Sequence, residues 1–497
     1  MGSGAAEASS SLGTPPRTPV HPDDAILLVG GYTHADLLAH TPRDVDASHA
    51  RGVHVLRVCG VTGGMTRLST NAIGPNVAFI TRSPTNPQIL YATTERIDDE
   101  GEVITLRITP EFTLREVSRV KTGGRSTCYV NFCKNKEYMM VVSYWDAKVS
   151  MLRVGPDGRP ASPRSVIMQP EAKYVDDKRP TREEHWKFRQ RWPHSHCCVT
   201  EPYTNLVHFV VDLGLDRVFA YRVCRVSGSL VLKGSVGLPR GKGPRHLLFH
   251  PTLRTAYLVN ELDSTVSCFR VNLPASWVSS EATVAAAADA AISAPPPMEQ
   301  ECDTPGAALE LIQCISSLPV SEQGKTTITP QGVWKAASHS SEIRMHPSGA
   351  YFVVGNRGHD SIATYAVDQR TGSIALVGIT PSGGECPRNF NWTGGGAFLV
   401  VGCQNSNRMC AFRFDAATGS LTLAAALEGV ASPNYVCSVP MSAVPELVTA
   451  AAPADATPTC VNDAIARVKS FEIGGIHHSH HGSASSDFDV APASLVL

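Results

Sequence analysis

Side chains capable of chemistry are densest between Gly243 and Val271, GPRHLLFHPTLRTAYLVNELDSTVSCFRV. Arg245 supplies a fixed positive fork suited to a carboxylate, a phosphate or a developing oxyanion. Glu261 supplies a carboxylate, which a neighbouring arginine would keep ionised. The two can act together only if the fold brings them to one place, and the runs between them indicate how. Gly243-Pro244 is a turn, and Arg245 and His246 enter a β-branched and aromatic run that ends at His250-Pro251. A second run goes from Thr255 to Asn260, and Glu261-Leu262-Asp263-Ser264 turns the chain into a third, Thr265 to Val271. Short runs with period-two alternation between turn residues read as a β-meander. Arg245 and Glu261 then fall at neighbouring strand ends, where a scaffold displays working groups.

The same unit recurs along the chain as VVSYWDAKVSMLRV, VVDLGLDRVFAYRV, LVNELDSTVSCFRV, VVGNRGHDSIATYAV and VVGCQNSNRMCAFRF. The step from Val211 to Val259 is 48 residues and that from Val354 to Val401 is 47. A period of roughly 40 to 50 residues with four strands per repeat signals a β-propeller. Six complete units leave three strands at the start (Ala25 to Ser69) and one at the end (Pro433 to Pro440), which join as a seventh. Such a join removes the free sheet edges of an open ring. The expected fold is therefore all-β: a seven-bladed β-propeller of four-stranded antiparallel blades over residues 25–440, its ring closed by the N- and C-terminal strands. Two insertions interrupt the repeat. Residues 171–192 are charged and aromatic and precede a blade's inner strand, so they could overhang one face, whereas residues 274–305 are rich in Ala, Pro and Ser. Residues 1–24 are expected to form a disordered leader. Residues 441–497 form an Ala- and His-rich tail, whose His477-His478-Ser479-His480-His481 is expected to be solvated.

Several motifs in these units resemble the seven-bladed lactonase propeller family, which includes propeller-type 6-phosphogluconolactonases and carboxy-cis,cis-muconate cyclases. They are LVGGYT (Leu28 to Thr33), RQRWPHSH (Arg189 to His196), GPRHLLFHP, NELDSTV, SEIRMHPSG (Ser341 to Gly349), GNRGHDSI and CPRNFNWTGGG (Cys386 to Gly396). The resemblance runs from about Ile26 to Val439. It implies a site at one mouth of the central channel built from a His, two Arg and a Glu, which the motifs place at His196, Arg245, Arg344 and Glu261. His196 would be the general base, because an imidazole titrates near neutrality. His194 competes for that role, since strand alternation points both rings to one side. Arg388 occupies the place in CPRNF that Arg245 has in GPRH and is an expected anion contact, and Asn356, Arg357, Asp212 and Asn434 are possible channel-lining residues.

The expected activity is metal-independent hydrolysis of a sugar-acid lactone, 6-phosphogluconolactone foremost. Cycloisomerisation of a carboxylated muconate, or a propeller that only binds, are the alternatives. Lys plus Arg (44) balance Asp plus Glu (45), which argues against a nucleic-acid partner and leaves anion binding to local arginines. No apolar run reaches the ~20 residues of a membrane span. The fourteen cysteines include no CxxC pair, and no spacing of Asp, Glu and His suggests a metal site. A reduced, cytoplasmic protein that is a monomer or weak homo-oligomer, without cofactor or metal, is expected to act on a small anionic lactone.

Overall fold

The computed structural model describes residues 23–39, 52–133, 136–169, 181–224, 227–278, 299–329 and 332–439. They form seven antiparallel sheets with four strands each in the repeat, the blades of a β-propeller. The inner strands are Val77–Arg82, Thr127–Phe132, Ser195–Thr200, Pro244–Phe249, His339–Met345, Pro387–Trp392 and Pro433–Val439, for blades 1 to 7 in that order. Each touches the inner strands on either side, and Pro433–Val439 meets Val77–Arg82, so the ring is closed. Blade 7 is the composite blade: Pro433–Val439 pairs with Ala25–Gly31, which leads outward to Gly52–Val58 and Met65–Ala72. Among the described residues no helix is long and apolar enough to cross a membrane.

The hydrophobic pattern explains this architecture. The second strands, such as Ile89–Thr94, Tyr138–Ser143 and Thr255–Asn260, are buried along their whole length because both faces meet a neighbouring blade. Outer strands such as Leu114–Lys121 and Ser420–Glu428 alternate with solvent. Between blades 4 and 5, Phe352 stacks on Tyr257 and Tyr365 with ring centroids at 4.9 and 5.0 Å. Such ring pairs add about 0.5–1.5 kcal/mol each beyond the area they bury.

Every inner strand carries a β-bulge near its start. In six blades one inner-strand residue is skipped in pairing with the second strand: Ala78, Cys128, His196, Arg245, Arg388 and Asn434. In blade 5 the register shifts across Ser341 and Glu342. A bulge leaves its extra residue unpaired and re-aims the side chain. The repeat thus places one unpaired position per blade at the same height around the axis.

Three elements go beyond the sequence expectations. Pro160–Met168 is the outer strand of blade 2, with two prolines that suit an edge. Glu299–Glu301 pairs in parallel with Leu230–Gly237 as a fifth strand on blade 3. Thr326–Ile328 and Trp334–Ala336 form a separate hairpin between blades 4 and 5. Residues 171–180 and 279–298 of the two insertions lie outside the described residues, as do the expected tail and all of the expected leader except Asp23 and Asp24.

Candidate active site at one mouth of the channel

The bulged positions of blades 3, 4 and 6 hold His196, Arg245 and Arg388. Glu261 follows the second strand of blade 4, and its amide donates to the carbonyl of Gly243 at 2.7 Å, so the entry to Arg245 and the exit to Glu261 are tied together. Arg357 ends the second strand of blade 5, and Arg189 comes from the short 3-10 segment His185–Arg189 ahead of blade 3. These chain segments converge on one carboxylate. Glu261 Oε1 lies 2.9 Å from Arg189 Nη1, and Oε2 lies 3.1 Å from both Arg245 Nε and Arg357 Nη2. Burial raises the pKa of the Glu261 carboxyl, but Arg357, Arg189 and Arg245 outweigh it and hold the group well below the usual carboxylate range.

The neighbouring groups divide the labour. Arg245 is 4% exposed and donates to the carbonyl of Ser341, so it braces Glu261 from behind. Burial, with repulsion from Arg357, lowers its pKa to about 10, which leaves it charged at neutral pH. Burial, together with Arg245 and His246, lowers His196 well below 6.5, so its ring is neutral. Its Nδ1 is buried without a hydrogen-bond partner. The His196 ring meets Tyr144 edge-on at 5.4 Å and His246 at 5.0 Å. Arg388 lies over the Tyr32 ring, 5.0 Å from its centroid.

A cavity of about 110 Å³ lies among Tyr32, Glu95, Ser126, Tyr144, Arg189, His196, Glu261, Arg357 and Arg388. Its walls carry three guanidinium groups against two carboxylates, with Arg245 behind, a balance that suits an anion. Among the described residues no group of three or more His, Cys, Asp or Glu side chains is placed to hold a metal ion.

The expected residues are distributed as follows. His196, Glu261 and Arg388 line the cavity, and Arg245 supports it. His194 does not line it. The bulge at His196 breaks the alternation that would have aimed both histidines alike; His194 instead stacks on Tyr144 at 4.6 Å with Nδ1 3.1 Å from the Tyr144 carbonyl. Asn356 is fully buried and is bound to Ser317, Ser340 and Ser361, joining strands instead of facing the cavity. Arg344 lies farther along its inner strand, where Nη2 donates to Glu342 Oε2 at 3.2 Å and to the Tyr435 hydroxyl at 3.1 Å. It lines a separate cavity of about 350 Å³ with Asn131, Thr200 and Phe249. The arginine that completes the cluster from blade 5 is Arg357. Arg189, Tyr32, Glu95, Ser126 and Tyr144 were not expected as site residues. Arg189 and Tyr32 do sit within the motifs RQRWPHSH and LVGGYT, which was the available signal.

A seven-bladed propeller with an anion-attracting, histidine-bearing cavity at one channel mouth defines the class, and comparison with known proteins specifies it. The chain belongs to the lactonase family of seven-bladed β-propellers, whose family model matches residues 26–295 and 301–438. It is 29% identical to a 6-phosphogluconolactonase of Bacillus subtilis over 306 residues, 61% of this chain and 71% of the relative. A periplasmic gluconolactonase of Pseudomonas aeruginosa superposes with a TM-score of 0.64 at 25% identity, over 84% of this chain and 99% of its own. A Lactobacillus plantarum protein, at 21% identity and a TM-score of 0.63 over 84% and 99% of the two chains, shares the fold.

Proposed function

We propose that the protein hydrolyses the lactone of an anionic sugar acid, 6-phosphogluconolactone to 6-phosphogluconate foremost, without a metal ion. The observation that carries this reading is the cavity itself: His196, held neutral, lines it together with Arg189, Arg357 and Arg388. The Bacillus and Pseudomonas relatives support lactone chemistry. The cavity falls below the ~300 Å³ of a typical ligand site. A phosphorylated sugar lactone would therefore hold its reacting ring inside and extend into the wider space outside.

His196 takes a proton from water as the oxygen adds to the lactone carbonyl, and the guanidinium groups of Arg357 and Arg388 stabilise the oxyanion that develops. The imidazolium so formed is disfavoured by burial and by Arg245, so it readily returns its proton to the ring oxygen as the C–O bond breaks. The product is the open hydroxy acid. Glu261 is already committed to three arginines, so it serves as their counter-charge and offsets the transient imidazolium; it is not the base.

The test is hydrolysis of freshly generated 6-phosphogluconolactone, corrected for spontaneous opening, after dialysis against a chelator. The wild type is expected to keep its rate. His196→Ala is expected to lose about 10²–10⁴-fold in kcat, the range for a general base. No rate above background in the wild type, with a carboxylated muconate cyclised instead, would replace hydrolysis with the cyclase reaction.

A further inference from the structure

The inner cavity opens into an outer one of about 610 Å³, and the two share Arg189, Glu261, Arg357 and Arg388. The outer walls come from two segments that the blade repeat does not need. One is the stretch around His185–Arg189, and the other is the hairpin Thr326–Ile328 with Trp334–Ala336. The two meet: Arg182 Nε donates to Thr326 Oγ1 at 3.1 Å, and the Arg182 guanidinium lies 5.7 Å from the Trp334 ring centroid. Together they turn Trp186, Phe188, Ile328 and Val333 toward the cavity. Phe188 is 46% exposed and Ile328 52% exposed. Large apolar side chains left in water around a cavity mark a surface that a ligand covers.

We infer that the site also takes, beyond sugar-acid lactones, an amphiphile: an anionic lactone bearing an aromatic or alkyl substituent, its charged end among Arg189, Arg357 and Arg388 and its apolar part between Phe188 and Ile328. This rests on the lactonase reading and specifies its substrate class. The order of groups from the inside outward, a cationic floor and then a rim in which Trp186, Phe188, Ile328 and Val333 stand beside Lys335, Asp360 and Glu385, is what selects such a molecule. A neutral apolar compound gains nothing from the arginines, and a fully hydroxylated anion leaves the wall wet. By this reading 6-phosphogluconolactone gains nothing from the apolar side chains, and an apolar substituent adds affinity.

The experiment uses the full chain and a pair of carboxylated lactams, one bearing a phenyl group. Lactams resist hydrolysis, so binding is read apart from turnover. By calorimetry the phenyl lactam is expected to bind the wild type at least about tenfold tighter, as burial of one apolar group allows. The difference is expected to shrink to less than about threefold in Phe188→Ser/Ile328→Ser, whose exposed positions leave the blades intact. Equal affinities in the wild type, a preference unchanged in the variant, or no binding of either lactam would overturn the inference. Turnover of the two matching lactones is measured in parallel. A binding preference without hydrolysis would overturn the lactonase reading, and the substrate role with it, and leave only a binding site for an anionic amphiphile.

Discussion

Glu261 is the residue on which the site is built, because one buried carboxylate neutralises part of the charge of three arginines that would otherwise repel one another. Which arginines belong to it was only partly legible in the sequence. Arg245 and Arg388 could be found because their motifs, GPRH and CPRN, occupy the same place in two repeats. Arg344 was expected from SEIRMHP, but a strand pattern with period two shows which side a residue faces and not how far along the channel it lies. In blade 5 the bulge falls at Ser341 and Glu342, so the arginine comes deeper in the strand and pairs with Glu342. The distinction is testable. Arg357→Ala is expected to reduce kcat/KM about 100-fold, the range for removing one donor to a developing oxyanion. Arg344→Ala is expected to leave kcat/KM within about twofold, because Arg344 lies outside the cavity. Steady-state kinetics of the two variants side by side checks both, and equal losses would return Arg344 to the site.

At the scale of the element, the recurring bulge converts a structural repeat into a ring of functional positions, and a backbone signature accompanies it. Five inner strands are entered through a residue with positive φ just before the bulge: Asn76 (46°), Ser126 (58°), Gly243 (59°), Cys386 (57°) and Ser432 (40°). Bulges could not be read from the sequence, because alternation through a single extra residue looks like a one-residue error in a strand boundary. The strands themselves could be read wherever turns bounded them, but the hairpin at Thr326–Ile328 was missed because its two strands are three residues each. Gly243 is the one glycine among these five entry residues. A Cβ there would collide with the Leu262 side chain at Cγ, in addition to the strain of the left-handed backbone. Gly243→Ala is therefore expected to cost about 2–4 kcal/mol in urea unfolding, from αL strain plus overpacking. Gly378 lies in an outer strand with nothing within 4 Å of its Cβ position. Gly378→Ala is expected to change stability by no more than about 1 kcal/mol. A comparable loss in both variants would remove the special role of the entry turn.

For the whole molecule, closure by two distant segments and a polar axis determine how the ring responds to conditions. Pro433–Val439 completes blade 7 by covering Ile26 and Leu28, which are fully buried. Each such side chain contributes about 1.5–3 kcal/mol relative to exposure. The fold is therefore cooperative around the ring, and charge buried at its axis is felt by all of it. Burial lowers the pKa of eight histidines, His250 and His346 among them, and six are held neutral most firmly. His54, His194, His208 and His246 are lowered to about 4, His339 to about 3, and His196 well below 6.5. In the unfolded chain each would take a proton near pH 6.5, whereas in the folded ring it does so only at much lower pH. Below pH 6.5 the unfolded state thus binds more protons, and stability falls as pH falls, by up to about 1.4 kcal/mol per pH unit for each histidine. Asp212, Asp216 and Asp263 act in the opposite direction. Burial raises all three, Asp212 and Asp216 to about 6, so between about 4 and 6 the folded state holds their protons and gains stability as pH falls. The eight histidines outweigh the three aspartates, and the depressed carboxyls of Glu261 and Glu342 add to the loss once pH drops below their ordinary value of 4.5. The urea midpoint, followed by tryptophan fluorescence, is therefore expected to be highest above pH 6.5 and to fall steeply between pH 6 and 4. A midpoint that stays flat across that interval would mean that the buried histidines titrate in the folded ring near their ordinary value of 6.5, as they do in the unfolded chain.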